Sequence, residues 1–460
     1  MLLVASCIFY MAFIPVYILI LALTIVIDYG AGILIERSEG VRRKQYLIVS
    51  IISTCLVLFI FKYFNFFNAN FAAIANFLHW NYPIEALRII LPIGLSFHTF
   101  QSLSYVIEVY RGHQKAEYHF GVYALYVMFY PQLVAGPIER PQNLLHQFYE
   151  KHSFDYKRIT DGLKIMAWGL FKKVVIADRL SILVNQVYNE PNTYSGPYLL
   201  IATIFFAFQI YCDFSGYSDI AIGSAQVMGF KLMDNFNRPY FSKSISEFWK
   251  RWHISLSTWF KDYLYISLGG NKVSNRWRWF FNLFITFAIS GLWHGANWTY
   301  VFWGALNGFY LIFAIWTQDL RNKIYGKLYI SSNQTVFKYY KVIITFSLVC
   351  FSWIFFRAKN ISDAFHIIIN MFKGWGSFTA SIFTKDFLIH NAFFGSREFI
   401  LSVILIIFME FIHLIQRHGS IRHMLNDKPV WFRWAIYYSI IMGILFFGVF
   451  GQNQFIYFQF

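Results

Sequence analysis

His294 is an ionisable residue inside a long apolar stretch, and an imidazole accepts and donates protons near neutral pH. The stretch FNLFITFAISGLWHGANWTYVFWGALNGFYLIFAI contains no Lys, Arg, Asp or Glu. A helix would place the imidazole up to roughly 20 Å deep, where an ionisable group costs at least about 2.5 kcal/mol and is therefore a functional candidate. Gly291 and Gly295 allow a close backbone approach or a helix break, and Asn297 offers a polar neighbour. The alternative is a histidine that only packs against a neighbouring helix.

A second histidine, His253, lies in the aromatic and basic segment EFWKRWHISLSTWFKDYLYISLGGNK. Large apolar residues recur there at helical spacing: Trp249, Trp252, Leu256, Trp259 and Phe260. With the basic residues between them, this spacing predicts an amphipathic helix at the cytoplasmic interface of a membrane, ended by a turn at Gly269 and Gly270. An anchor helix explains the tryptophans and the charges, but it does not explain His253.

Two further clusters carry charges within or beside apolar runs. The segment YCDFSGYSDIAIG places Asp213 and Asp219 in an apolar span, where carboxylates need partners or water. The segment FYPQLVAGPIERPQNLLHQF contains Gly136 and Pro137, a helix breaker, followed by an expected ion pair in Glu139-Arg140-Pro141. For both clusters, an architectural role in holding broken helices around a cavity is favoured over catalysis.

The composition shows what must surround these residues. Of 460 residues, 57% are hydrophobic and 13% charged, against roughly 45–50% and about 25% in a soluble domain. With 54 Phe, 31 Tyr and 15 Trp, the chain is neither a soluble globule nor disordered. The net charge of +16 suits cytoplasmic loops and anionic lipid headgroups, so no nucleic-acid partner is predicted. The four cysteines are scattered and suggest no disulfide framework or zinc site, and no metal is expected.

Apolar runs of about 20 residues predict an all-α integral membrane protein with roughly eleven membrane-embedded helices. The runs lie near residues 2–27, 46–64, 88–110, 119–135, 160–187, 197–230, 279–297, 299–317, 341–357, 399–415 and 434–450. We interpret the first as a retained membrane helix, because no basic region or cleavage site accompanies it. No repeat or long polar linker divides the chain, so residues 1–460 are predicted to form one polytopic bundle, with interfacial and broken helices around a central cavity.

Basic residues orient the predicted bundle. Residues 36–46 are rich in Arg and Lys and residues 63–87 contain neither, so the first loop is expected in the cytoplasm and the second outside. The basic stretch 234–279 is expected at the cytoplasmic interface by the same rule. A last span then carries residues 451–460 to the outer side.

Four blocks of the sequence carry a family resemblance: LVAGPIERP, YCDFSGYSDIAIG, NFNRPYFSKSISEFWKRWHISLSTWFKDYLYISLGGNK and GLWHGANWTYVFWG. Together they resemble the membrane-bound O-acyltransferases, in the bacterial branch of alginate O-acetylases, which is related to peptidoglycan O-acetyltransferases and the D-alanyl transferase of teichoic acids. The resemblance runs from about Leu91 to the C-terminus. Relatives commonly begin with one more hydrophobic segment, so we expect either a truncated start or a dispensable helix.

The resemblance implies an O-acyltransferase of the bacterial inner membrane, with His294 as the catalytic histidine and His253 as the second characteristic histidine. The ending FIYFQF resembles a C-terminal motif whose tyrosine carries the acyl group, here Tyr457. A neutral imidazole can take the proton of a phenol, which is a far easier proton donor than a sugar hydroxyl. The implied reaction moves an acetyl or other short acyl group from a cytoplasmic thioester across the membrane. The acceptor is an envelope or secreted polysaccharide, modified by an exported esterase-like partner enzyme.

The donor implied is acetyl-coenzyme A or a similar anionic thioester, used as a substrate, and no bound cofactor is expected. The basic stretch lies on the side that would attract it, and we expect Lys272, Arg276 and Arg278 to bind its phosphates. Three alternatives stay open: an acyl exporter for peptidoglycan or teichoic acid, a non-covalent proton-coupled transporter, and a non-catalytic scaffold. No pair of related halves supports a transporter. The sequence does not identify the acceptor polymer.

Overall fold

The computed structural model describes residues 1–134, 136–327, 335–382, 393, 396–451 and 455. Within these ranges the chain is helical and contains no strand, so the predicted all-α class is confirmed. Helices are the expected solution for an apolar chain in lipid, because a backbone away from water must satisfy its own hydrogen bonds.

The first half of the chain contains helices α1 to α10. Helices α1 to α5 are Leu2–Met11, Ile18–Arg37, Gly40–Leu58, Phe64–Phe77 and Leu95–Arg111. Helices α6 to α10 are Phe120–Met128, Pro141–Leu144, Tyr156–Leu170, Asp178–Asn189 and Gly196–Met228. A π-helical segment, Phe59–Tyr63, joins α3 to α4, and another, Phe171–Ala177, joins α8 to α9. Left-handed glycines, Gly112 and Gly229, end α5 and α10.

The second half contains helices α11 to α21. Helices α11 to α15 are Ile245–Trp249, Ile254–Trp259, Arg276–His294, Trp298–Trp316 and Gln318–Lys327. Helices α16 to α21 are Thr335–Arg357, Ile361–Asn370, Trp375–Ile382, Arg397–Ile415, Ile421–Asn426 and Val430–Phe447. A third π-helical segment, Phe260–Tyr265, follows α12. Short 3-10 helices cover Pro15–Tyr17, Leu145–Tyr149, Pro191–Thr193, Pro239–Phe241 and Gln416–His418.

Seven helical runs in the described part of the chain are long and apolar enough to cross a membrane. They are Pro15–Arg37, Gly40–Phe77, Gly196–Met228, Trp298–Trp316, Thr335–Arg357, Arg397–His418 and Val430–Phe447. A multi-pass membrane protein is therefore confirmed, with fewer full spans than the eleven embedded helices predicted. The other four predicted runs contain helices that are shorter or more polar than a span needs. The predicted outer loop 63–87 is also wrong in its first part, because α4 continues the preceding span to Phe77.

Residues 247–272 do not form the continuous amphipathic helix that the sequence predicted. Helix α11 ends at Trp249, and α12 begins at Ile254 after a break in which His253 has a positive φ of 43°. Large apolar residues of the segment are buried in the protein core: Trp252, Leu256, Trp259, Phe260 and Tyr263. The spacing of the apolar residues predicted helical turns correctly. It did not show whether their face packs in the core or lies at the membrane interface, because both kinds of helix have the same spacing.

The carboxylates of α10 have the partners that an apolar environment demands. Lys173 Nζ lies 2.7 Å from Asp213 Oδ1, and Lys172 Nζ lies 2.9 Å from Asp219 Oδ2. Both lysines belong to the π-helical segment Phe171–Ala177, which packs along α10. These ion pairs tie two helical runs together, which supports the architectural interpretation of the two aspartates.

Glu139 and Arg140 do not pair with each other as predicted. The Glu139 carboxylate accepts the Met233 N–H at 2.5 Å, and burial raises the pKa of this carboxyl to about 7. Arg140 Nη2 instead lies 3.7 Å from Asp262 Oδ2, and the guanidinium covers the Tyr263 ring. The backbone of Arg140 is extended, so neighbouring side chains point to opposite sides of the chain.

Candidate functional site

His294 is the last residue of helix α13, because the chain leaves helical geometry at Gly295. Gly295 is extended, with φ −163° and ψ 149°. Asn297 then caps α14 by accepting the Thr299 N–H at 3.0 Å with its side-chain oxygen. The predicted break beside His294 is confirmed, and it places the imidazole at a helix end rather than along a helix face.

Aromatic rings enclose the His294 imidazole. Only 4% of the surface of His294 is exposed. The ring centroids of Trp293 and Trp303 each lie 4.9 Å from the imidazole, and that of Phe356 lies 5.4 Å away. All three contacts are edge-to-face. The rings leave little of the imidazole open to solvent, so exchange of its proton with bulk water is restricted.

Close packing of α13 on α14 builds one wall of this enclosure. A Cβ atom at Gly291 would lie 3.0 Å from the Cα of Gly304, and one at Gly304 would lie 2.9 Å from the Cα of Gly291. Larger residues at either position would force the helices apart. The two glycines therefore let Trp303 of α14 reach the His294 ring.

His253 is placed by the break between α11 and α12. The residue has left-handed backbone dihedrals, φ 43° and ψ 57°, which non-glycine residues adopt infrequently. Its side chain is turned inward, with 1% of the surface exposed, against the rings of Phe97 and Phe214 at 6.3 and 4.5 Å. Burial lowers the pKa of the His253 imidazole to about 3, so this ring is neutral.

Hydrogen bonds to Asn235 define the tautomer of His253. The Asn235 Oδ1 atom lies 3.2 Å from the backbone N of Ser255 and 3.1 Å from His253 Nδ1. A backbone N–H can only donate, so the Asn235 atom must be the amide oxygen, and Nδ1 must carry the ring hydrogen. The lone pair is then on Nε2, which is buried and has no hydrogen-bond partner among the described residues. The Nε2 atom of His253 is thus able to accept a hydrogen bond.

Trp293 brings the two histidines to one place. Its ring centroid lies 4.9 Å from that of His294 and 6.4 Å from that of His253. The indole stacks on Phe100 at 5.0 Å, and Phe100 stacks on Trp259 at 3.9 Å. Two candidates that the sequence placed in separate segments therefore share one aromatic column.

Lys62 joins this site, and the sequence analysis missed it. Its Nζ donates hydrogen bonds to the carbonyl oxygens of Trp293 and His294, at 2.7 and 3.1 Å. The signal was present, because Lys62 is the single Lys, Arg, Asp or Glu residue between positions 45 and 84. The rule that selected His294, an ionisable group in an apolar run, also selects Lys62.

The structure does not bring the predicted donor-binding residues to the histidines. Lys272, Arg276 and Arg278 are exposed. Arg276 begins α13 and His294 ends it, so helical rise separates their backbones by about 27 Å. Binding of the donor's phosphates by these three residues stays a prediction.

Tyr457 lies outside the described residues, but Phe455 is described and buried. The Phe455 ring lies 5.8 Å from Phe214 and 4.2 Å from Tyr217. Phe214 in turn contacts the His253 ring. One aromatic residue of the tail therefore packs one side chain away from His253.

Comparison with known proteins identifies a family and similar sequences. Residues 113–356, which include both histidines, match the model of the membrane-bound O-acyltransferase family. A probable alginate O-acetylase of Pseudomonas aeruginosa is 39% identical over 415 residues, covering 87% of this chain and 76% of that protein. A peptidoglycan O-acetyltransferase of Helicobacter pylori is 32% identical over 499 residues, covering 100% of this chain and 91% of that protein. A teichoic acid D-alanyltransferase of Streptococcus thermophilus is 30% identical, covering 48% of this chain and 56% of that protein.

Proposed function

The chain belongs to the membrane-bound O-acyltransferase family, and we propose that it passes an acetyl group from a cytoplasmic thioester across the membrane for O-acetylation of an envelope or secreted polysaccharide. The observation that carries this proposal is the pair of buried histidines on Trp293, one of which presents an Nε2 lone pair inside the protein. Membership of an acyltransferase family favours covalent transfer over a non-covalent transporter or a scaffold.

His294 acts as the general base in the proposed reaction. An alcohol or phenol is a weak nucleophile while it is neutral, so its proton must leave as the carbonyl carbon is attacked. The imidazole takes that proton, the oxygen forms an ester with the acyl carbon, and the carbon–sulfur bond breaks. The thiolate that leaves recovers the proton from the imidazolium, so the base is regenerated.

His253 has a supporting role in this scheme. Its Nδ1–H is held by Asn235, and its Nε2 has no partner among the described residues, so the ring can orient an incoming hydroxyl or share its proton. The neutral ring adds no charge to the enclosure, where an uncompensated charge is expensive.

A polar cavity offers an entry for the anionic donor. The cavity has a volume of about 320 Å³, and its lining includes Tyr263 and two arginines with their partner carboxylates, Arg111 with Glu108 and Arg140 with Asp262. Tyr263 contacts Trp259 at 5.1 Å, and Trp259 begins the aromatic column that leads to Trp293. Two guanidinium groups, which an anionic head can bind in place of their carboxylate partners, thus lie at one end of a series of rings, and the histidines lie at the other.

The acceptor of the first transfer is Tyr457 in this proposal. Burial of Phe455 next to Phe214 supports a tail that docks beside the histidines. A second transfer then moves the acyl group from the tyrosine ester to an exported partner enzyme that modifies the polymer. The relay divides one long transfer into two short ones.

Loss of thioester cleavage in a single variant tests the catalytic assignment. Purified protein in detergent should release free thiol from acetyl-coenzyme A, and His294→Ala should slow this release by at least about 100-fold. His413→Ala is the matched control, because His413 is also buried but contacts Tyr211 and Glu410. Equal rates for His294→Ala and the wild type would contradict the proposal.

The relay is tested separately at Tyr457. Mass spectrometry of protein incubated with the donor should find an acyl adduct on Tyr457 that is absent from His294→Ala. Tyr457→Phe removes only the hydroxyl, so it should stop polymer acetylation in cells while folding and donor binding remain intact. Normal polymer acetylation by Tyr457→Phe would leave direct transfer to the partner enzyme as the better explanation.

A further inference from the structure

Lys62 is a charged residue in a helical run that is otherwise suited to lipid. The run Gly40–Phe77 is one of the seven candidate spans, and only 17% of its most apolar window is buried inside the protein. Between positions 45 and 84 every residue except Lys62 lacks a formal side-chain charge, histidine counted as neutral. An ammonium group at such a position needs a compensating interaction, because lipid provides none.

The compensating interaction is the end of helix α13. The last carbonyl groups of an α-helix have no partner within the helix, and they carry its negative partial charge. Lys62 Nζ donates to two of them, Trp293 O at 2.7 Å and His294 O at 3.1 Å. The same ammonium lies 5.7 Å from the centroid of the Trp293 ring. One group therefore contacts both the backbone that carries His294 and the indole that both histidines share.

Local geometry directs Lys62 to this position. The residue lies in the π-helical segment Phe59–Tyr63, and such segments frequently interrupt α-helices at functional sites. A π-helical turn changes the angular register of the residues that follow, so a side chain can be turned from the lipid toward a neighbouring helix. Trp298 Nε1 donates to Asn70 Oδ1 at 2.9 Å, a second polar contact between the same two regions.

We propose that Lys62 is a positioning residue for His294, holding the last turn of α13 so that the imidazole stays within its aromatic enclosure. This inference rests on the proposed function of His294 as the general base. Without the ammonium, the terminal turn loses two hydrogen bonds at the residue that carries the base. The imidazole and Trp293 then adopt orientations in which the imidazole is not aligned with the acceptor hydroxyl and the thioester. Donor binding is unaffected, because the hydrogen bonds of Lys62 go to the end of α13 and not to the cavity lined by Arg111 and Arg140.

The test compares Lys62→Met with a lysine that makes a similar contact elsewhere. Lys359 Nζ donates to the carbonyl of Asn189, the last residue of α9, at 2.9 Å, and it is exposed. We expect Lys62→Met to lower kcat for acetyl-coenzyme A cleavage by at least about tenfold, with KM for the donor within a factor of about two. Lys359→Met should leave both constants unchanged. Lys62→Arg, which keeps cationic donors, should recover part of the lost kcat.

A purely structural role predicts a different pattern. In that case Lys62→Met would lower the melting temperature in detergent, and kcat per folded molecule would equal that of the wild type; this result would overturn the inference. If Lys62→Met does not fold, Lys62→Gln, whose side chain is shorter and lacks the ammonium, serves as the substitute, and an unchanged kcat in it would also overturn the inference. A parallel measurement of His294→Ala separates the two proposals. An inactive His294→Ala beside a fully active Lys62→Met rejects only the role of Lys62, whereas an active His294→Ala rejects the proposed function.

Discussion

Two clusters of buried ionisable groups in the protein are built in opposite ways. In the first, Lys173 Nζ lies 2.7 Å from the carboxylates of both Asp213 and Asp178, so positive and negative charges meet directly. In the second, His294 and His253 are surrounded by aromatic rings, and the groups that hydrogen-bond to His253 are uncharged. The first cluster pairs its charges directly. In the second, the two imidazoles acquire charge only when a proton arrives, and the Lys62 ammonium beside them donates to backbone carbonyls.

This difference distinguishes a structural role for the ion-pair cluster from a catalytic role for the histidine cluster. A buried ion pair is bound to its partner and is strongly destabilising when one member is removed. The His253 imidazole is neutral and bonds to the uncharged Asn235 amide, so this contact contains no ion pair that must break when a proton arrives. Both clusters consist of ionisable residues in apolar runs, so the sequence marks both as functional candidates. The partners of each group, and not its position in the apolar run, indicate its role.

Removal of Lys173 should produce the largest effect on folding. Lys173→Met leaves the carboxylates of Asp178 and Asp213 next to each other without the ammonium, and we expect a loss of about 3–5 kcal/mol. Yield of monodisperse protein and melting temperature in detergent measure this loss. The matched control is Lys164→Met, which removes the more exposed pair with Asp161 and should change stability by about 0–1 kcal/mol.

The same experiment can break the comparison. If Lys173→Met folded normally but released no thiol from acetyl-coenzyme A, the ion-pair cluster would belong to the catalytic machinery. Tyr217 makes this outcome worth measuring, because its ring contacts both Lys173, at 5.6 Å, and Phe455 of the tail. Loss of folded protein would instead keep the two clusters separate.

Particular residues show how far the sequence could predict this structure. The break at His294 was predictable, since Gly295 and Asn297 are local signals that act within the next helix turn. The ion pairs of α10 were not, because Lys172 and Lys173 lie about 40 residues away in sequence and are brought to α10 by helix packing. The buried course of residues 247–272 was also beyond the sequence, because periodicity does not tell which surface covers an apolar face.

Substitution of His253 should affect activity more than stability, which sharpens the comparison. We expect His253→Ala to lower kcat for acetyl-coenzyme A cleavage by about 10- to 100-fold, because a group that shares a proton in the transition state is removed. Asn235→Ala should lower kcat by less, because this variant keeps the imidazole and loses only the hydrogen bond that fixes its tautomer. Normal turnover in His253→Ala would show that this buried ring only packs, as the residues of an ordinary core do.

The smallest effect is expected at the exposed basic end of α13, where neither cluster is present. Arg276 and Arg278 are exposed, and their nearest ring contacts are with Phe280 and Phe281, so they can attract an anionic donor only over distance. Neutralising both, as Arg276→Gln with Arg278→Gln, should raise the apparent KM for the donor by a few-fold at low salt and by less at high salt. The reason is that attraction between exposed charges is screened over about 8 Å at physiological ionic strength. Equal KM values for wild type and variant at both salt concentrations would assign these arginines to membrane orientation alone, and donor recognition would then belong to the cavity lined by Arg111 and Arg140.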